Sequence, residues 1–198
     1  MPEIRLAVVP VGRLDTSELE AAVAHVAKVL HHTVEVREPA NLSRAQEDTG
    51  RAQFRAGPLL AELRAAAPRL RSVKTVGTPA PGAASGPADT LVLVTDVDLF
   101  TPSTEGVIDE IDRAHRTALV SVRRLREVFY RRKADPGKQR GRLVKAILRA
   151  VGKARGLPDC SDPSCALSST GALADLDRKA ERYCSPCWKR LSEGISHL

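Results

Sequence analysis

Aromatic residues are nearly absent: three Phe, two Tyr and one Trp in 198 residues, with a single Met. A hydrophobic core must therefore be filled by Leu, Val, Ile and Ala. No apolar run approaches the ~18 residues that a bilayer span requires. The opening Met1-Pro2-Glu3-Ile4-Arg5 carries charges where a secretion signal would carry its apolar stretch, so a cytoplasmic protein is expected. There are only four cysteines, all among the last forty residues. A chain of this length buries roughly 70% of its unfolded surface and needs no disulfide staples. What remains is 42% hydrophobic and 28% charged, the composition of one soluble globular domain.

Charge is plentiful but uneven. The net charge is +7 and the isoelectric point about 9.6. Between Arg113 and Arg155 stand 15 Lys or Arg against two acids, Glu127 and Asp135, which makes the segment +13 and the rest of the chain −6. Such a block can attract nucleic acid, phosphate or anionic lipid. It is also what an Arg- and Ala-rich sequence places on a solvated face. Within it, Phe129 and Tyr130 are embedded among six basic residues between Arg123 and Lys133, an interleaving used by single-stranded nucleic-acid grooves. Phe129 also stands at helical spacing from Leu125, which reads as core packing.

Strand and helix signals alternate. Residues 4–9 form an apolar run ended by Pro10 and Gly12, a buried strand. Ser17 and Glu20 make a capping-box pattern opening a helix to about Leu30, with Leu19, Val23, Val26 and Leu30 on its apolar face. Residues 34–36 read as a strand, 41–54 as a long polar loop and 58–66 as a helix. Residues 77–88 hold three Pro and three Gly and read as a flexible surface loop. Strands are expected at 91–95 and 117–122, a short basic helix at 123–131 and a turn at Asp135-Pro136-Gly137. The strongest helix is 141–155, with Val144, Ile147, Leu148 and Val151 as its stripe and Gly156 and Pro158 as its stop. A last helix is expected at 173–183. The pattern is that of one α/β domain over 1–198: an α/β part over 1–155 and a small C-terminal subdomain over 156–198.

The cysteines give the sharpest chemistry. Cys160-x4-Cys165 and Cys184-x2-Cys187 are two pairs separated by 18 residues. Thiolates in pairs at this spacing can close a tetrahedral shell around Zn2+. Disulfides and free thiols are the alternatives, the former disfavoured in a reducing compartment. Four cysteines leave no open coordination position, so such a zinc is structural. Tyr183 and Trp188 flank the second pair and read as its cover. The five histidines, His25, His31, His32, His115 and His197, form no recognisable ligand motif with a nearby acid.

Three stretches resemble the archaemetzincins, a branch of the metzincin zinc peptidases: Val94-Thr95-Asp96-Val97-Asp98-Leu99-Phe100, the order of elements, and the tail Gly156-Leu157-x-x-Cys160-x4-Cys165 followed by Ala174-Asp175, Asp177-Arg178 and Cys184-x2-Cys187. The resemblance implies a zincin-like mixed twisted sheet of about four strands packed on helices, with a C-terminal four-cysteine zinc subdomain. It also implies an H-E-x-x-H-x-x-G-x-x-H-C motif, whose histidines hold a catalytic zinc and whose Glu is the general base. Laid on this chain through Gly156 and Cys160, the three histidine positions fall on Arg149, Lys153 and Asp159, the Glu position on Ala150, and the Met of the following turn on Leu167. Arg offers no lone pair, Lys only with a strongly lowered pKa, and Ala no base. The expectation is a pseudopeptidase: no catalytic residues, no catalytic zinc, and one structural zinc on Cys160, Cys165, Cys184 and Cys187. Asp159 is expected to bridge Lys153 or Arg149 in the metal's place. Otherwise these cations hold an exogenous anion, such as phosphate or a peptide C-terminus, or simply face water. A peptide or protein partner could add to an edge strand of the cleft. An active peptidase with an unorthodox site and a basic nucleic-acid-binding zinc protein are the other readings, and no membrane partner is expected.

Overall fold

The computed structural model describes residues 4–77 and 87–193. The expected loop at 77–88 falls, apart from its ends, outside them.

The chain opens with β1 (Leu6–Val11), buried along its whole length. Helix α1 (Thr16–Leu30) follows, and Asp15 rather than Ser17 caps it, accepting from the Ser17 N–H at 2.9 Å. A carboxylate two residues ahead of the hydroxyl is the better acceptor beside the positive end of the helix. Strand β2 (Val34–Arg37) comes next. The expected loop at 41–54 instead holds a 3-10 turn (Arg44–Gln46) and two very short strands, β3 (Glu47–Asp48) and β4 (Gln53–Arg55). Two or three residues cannot display a period of two, and β4 exists by pairing with a strand some 45 residues later. Helix α2 (Ala56–Ala66) leads to β5 (Ser72–Val76), β6 (Thr90–Thr95), β7 (Leu99–Thr101), β8 (Thr104–Val107), β9 (Asp109–Asp112) and β10 (Thr117–Ser121).

The main sheet has six strands, in the order β5-β2-β1-β6-β10-β9, and a second sheet runs β3-β4-β7-β8. The expected sheet of about four strands is thus the centre of a larger one. Strands β2, β1, β6 and β10 are parallel, while the two edges, β5 and β9, run antiparallel. The edges escape pattern reading because their residues are exposed (β5) or acidic (β9, Asp-Glu-Ile-Asp). The central strands are covered on both faces, so they read as continuous apolar runs. On one face Leu6, Val8, Val92, Val94 and Val120 meet α1 and the long helix α3 (Pro136–Ala154). On the other, Val9, Val11, Leu93 and Leu119 meet α2 and the second sheet.

Helix α3 begins five residues earlier than expected. The Asp-Pro-Gly that resembles a turn is its start: Asp135 accepts from the Lys138 N–H at 2.9 Å, and Pro136 occupies the first turn, where its missing N–H is harmless. The helix ends at Gly156, whose φ of 91° lets the Leu157 N–H reach back to the Gly152 carbonyl at 2.9 Å. The basic helix expected at 123–131 is two 3-10 turns, Arg123–Leu125 and Glu127–Tyr130. In the tail, α4 (Leu173–Arg178) stops well before Tyr183, because Lys179 turns extended and the Ala180 N–H goes to the Ser164 carbonyl at 2.7 Å. A further helix, α5 (Ser185–Glu193), starts inside the second cysteine pair. Among the described residues no helix is long and apolar enough to cross a membrane.

Candidate functional site

Arg149 and Lys153 are one turn apart on α3 and share a face. Arg149 Nη1 donates to Asp109 Oδ2 on β9 at 2.5 Å, and its Nη2 lies 3.5 Å from Asp159 Oδ1. Lys153 Nζ donates to the same Asp159 oxygen at 3.0 Å. Burial tends to raise the Asp159 carboxyl, but the Lys153 hydrogen bond and the charges of Lys153 and Arg149 outweigh it and hold it below the usual range. The cluster ties α3 both to the edge strand and to the turn after the helix. Ala150 points the other way, into the core. Asp109 was not legible as a partner: it sits forty residues upstream in a four-residue acidic strand. Arginine and protonated lysine offer no lone pair, so this face of α3 does not fit a metal ion.

Beside Arg149 opens a cavity of about 400 Å3, lined among others by Asp109, Arg124, Ala146, Thr170 and Leu176. One lining residue, Arg124, is held by Asp98. Asp98 accepts from Arg124 Nε at 2.6 Å and Nη2 at 2.9 Å, and from Gln53 Nε2 at 2.8 Å. The Arg124 guanidinium lies directly over Gly106, where any Cβ would overlap it. Gly106→Ala is therefore expected to push Arg124 off Asp98 and to lose about 1–3 kcal/mol, measurable by urea unfolding.

Behind Thr170, which lines the cavity, lies a residue that pattern reading missed, Lys179. It is 3% exposed. Its Nζ donates to the Ser168 carbonyl at 2.5 Å and to the Thr170 hydroxyl oxygen. Burial, with the Arg149 charge added, lowers its pKa to about 8 despite Asp109, Asp159 and Asp175 nearby. The folded value lies below the unfolded one near 10.4, so between those values the unfolded chain binds more protons and stability rises with pH. Lys179→Met is expected to remove this rise between about pH 8 and 10, and to melt a few degrees higher than the parent at pH 7. Thermal scans across that range check both.

The four cysteines come together. All four sulfurs lie within 4.8 Å of one another, and Cys160 and Cys184 Sγ are 3.6 Å apart. None is in a disulfide. Zn–S bonds near 2.3 Å place tetrahedral thiolates about 3.8 Å apart, so the set fits a metal ion closely. Among the described residues it is the one group of three or more His, Cys, Asp or Glu side chains near enough to share one. Burial pushes the Cys165 and Cys187 thiols up, as expected of thiols that need a cation to ionise. Tyr183 stacks on Trp188 with ring centres 6.4 Å apart, and its hydroxyl donates to the Leu148 carbonyl at 2.5 Å. That bond fastens the tail to α3.

Much of the basic block is neutralised. Arg116, Arg124, Arg132, Lys138, Arg142, Arg149, Lys153 and Arg155 each reach a carboxylate within 4 Å. Phe129 is half-buried rather than in the core, its ring beneath Arg124 with 5.0 Å between ring centre and Cζ. The histidines are dispersed: His25 meets Glu181 at 3.2 Å, His115 meets Asp112 at 2.7 Å, His31 stands edge-on to Trp188, His32 is buried and His197 lies outside the described residues.

The fold, a mixed sheet with a long helix behind it, is shared with solved structures of zinc-dependent peptidases. The crystal structure of the archaemetzincin from Methanopyrus kandleri superposes with a TM-score of 0.75 at 26% identity, over 98% of this chain and 97% of that one. A zinc-dependent peptidase from Methanocorpusculum labreanum shares the fold, with a TM-score of 0.78 at 24% identity over 94% of this chain and 99% of that one. The chain belongs to peptidase family M54, whose family model matches residues 87–193. The archaemetzincin of Methanocaldococcus jannaschii is 30% identical over 105 residues, which are 53% of this chain and 59% of that protein. In sequence, the chain thus spans 59% of the length of the first curated relatives it matches.

Proposed function

We propose that this M54 member has given up peptide hydrolysis, keeps one structural zinc on Cys160, Cys165, Cys184 and Cys187, and uses the former catalytic cleft to bind a peptide in a reducing, cytoplasmic setting. The observation that carries this reading is the Asp109–Arg149–Asp159–Lys153 ion cluster. It occupies the helix face on which the family motif would set its metal ligands, and it links α3 to the following turn as such a metal would, with the edge strand β9 added through Asp109. Loss of a general base removes ~10²–10⁴ of rate, and loss of the metal removes the activated water as well.

The test is hydrolysis of casein and of a mixed peptide library, with and without a chelator. No cleavage above the buffer blank is expected. Cleavage abolished by chelator would restore the peptidase reading. Because Asp159 is half exposed, Asp159→Asn is expected to change stability by no more than about 1 kcal/mol, read by thermal melting.

A further inference from the structure

The ion pairs around the cavity leave one cation without a direct partner. Arg124 is matched by Asp98, Arg149 by Asp109 and Lys153 by Asp159. Lys179 is left over. Its ammonium has three N–H donors. Two go to neutral acceptors, the Ser168 carbonyl and the Thr170 hydroxyl, and among the described residues no carboxylate stands within 4 Å of it. A buried cation without a direct ion-pair partner is costly in a low-dielectric surrounding, even with Asp109, Asp159 and Asp175 at longer range. A second donor nearby is also unspent: Arg149 Nε is buried with no acceptor among the described residues. Arg149 and Thr170 line the 400 Å3 cavity, and Lys179 stands behind Thr170, bonded to its hydroxyl oxygen. Thr170 accepts from Lys179 and so keeps its own O–H free to donate. Ala146, Val107, Leu173 and Leu176 supply an apolar flank.

We propose that this cavity is a carboxylate-binding site in which Arg149 and Thr170 receive the anion and the Lys179 ammonium behind Thr170 supplies positive charge, taking the free C-terminus of a peptide or a small free carboxylic acid. The inference rests on the reading of the cleft as a binding site. An arriving carboxylate adds negative charge beside Lys179 and Arg149 and gives the Thr170 O–H an acceptor. The apolar flank favours an acid carried on an apolar group over a strongly hydrated ion.

The test is calorimetric titration of the full chain, zinc site intact, with acetyl-dialanine as the free acid, with its C-terminal amide, and with acetate. The free acid is expected to bind at least tenfold more tightly than the amide, and Lys179→Met to lose about tenfold or more of that affinity. Acetyl-dialanine binding well above acetate assigns a peptide C-terminus; equal binding assigns a small acid. Equal affinity for acid and amide, or an unchanged affinity in Lys179→Met, overturns the proposal. A readout on the parent protein covers the case in which the variant does not fold. Asp109, Arg149, Asp159 and Asp175 are the charged groups around Lys179, and an added anion raises its pKa. Binding at pH 8.5 must then take up protons, shown by heats that depend on the buffer's ionisation enthalpy. No uptake counts against the site. Chelator-sensitive hydrolysis would instead overturn the inactive reading, and absent binding without hydrolysis would overturn this inference alone.

Discussion

Protein purified without added metal and without a histidine tag returns about one zinc per chain, and that zinc stays bound until the cysteines are alkylated or oxidised. This is the expected result with the largest thermodynamic consequence. Apparent binding free energies at structural zinc sites are of order 10–16 kcal/mol. If only half of that appears as stability, a chain of this size melts at least ~10 °C lower without the ion. The loss does not stay local. Leu157, Cys165, Leu167, Leu176, Tyr183, Cys187 and Leu191 belong to the same core cluster as α1 and α3, so release of the tail opens one side of the main core. Cys187→Ser is expected to reproduce the loss, because Cys187 is buried at the start of α5 and ties that helix to the first pair. An alkylated, metal-free protein melting at the parent temperature would exclude a structural role. Two zincs per chain would mean a second metal site and would reopen the question of hydrolysis.

The ends of the chain's chemistry differ in how legible they were. The cysteine pairs could be read because metal ligation needs fixed residue types at short spacing, and the structure closes them into one group. Strands β1, β6 and β10 and helices α1 and α3 could be read because burial on one or both faces imposes a period. What escaped reading depends on long-range pairing. Strands β4 and β9 take their form from neighbours far along the chain, and Asp109 meets Arg149 only because β9 packs beside α3. Asp135-Pro136-Gly137 is the informative miss: the same three residues suit a turn or a helix start, and only the packing of the residues beyond decides. Lys179 carries no local signal at all. Its burial is set by the Ser168–Thr170 loop folding over it, which no spacing rule describes.

Arg142→Met is the second variant with a large expected effect, about 3–5 kcal/mol of destabilisation in urea or thermal unfolding. The side chain is 1% exposed on α3. Its Nε and Nη2 grip Asp177 of α4 at 2.6 and 2.7 Å, Nη2 also reaches Glu127 at 2.6 Å, and Nη1 donates to the Leu125 carbonyl at 2.7 Å. Removing the fork leaves two carboxylates facing each other with Lys138 and Arg132 as remaining partners. Arg142→Lys is expected to rescue little, since an ammonium cannot make the two parallel bonds to Asp177 and still reach Glu127. The pH signature separates this network from ordinary packing. Hydrogen bonds from Arg142 hold both the Glu127 and the Asp177 carboxyls below their usual range. Their folded values lie below the unfolded ones, so the stabilisation is complete above ~pH 4–5 and is lost as pH falls through the folded values. The acid limb of the stability curve should therefore be flatter in Arg142→Met than in the parent, and an equally steep limb would mean that the network contributes packing alone. The same side chain also sets the cavity. Glu127 lies in the 3-10 turn that carries Tyr130, and Asp177 lies on the helix that carries Leu173 and Leu176, so Arg142 fastens two opposite walls of the cleft to α3. Arg142→Met should then weaken carboxylate binding through geometry, without touching a ligand, at temperatures where the variant is still folded.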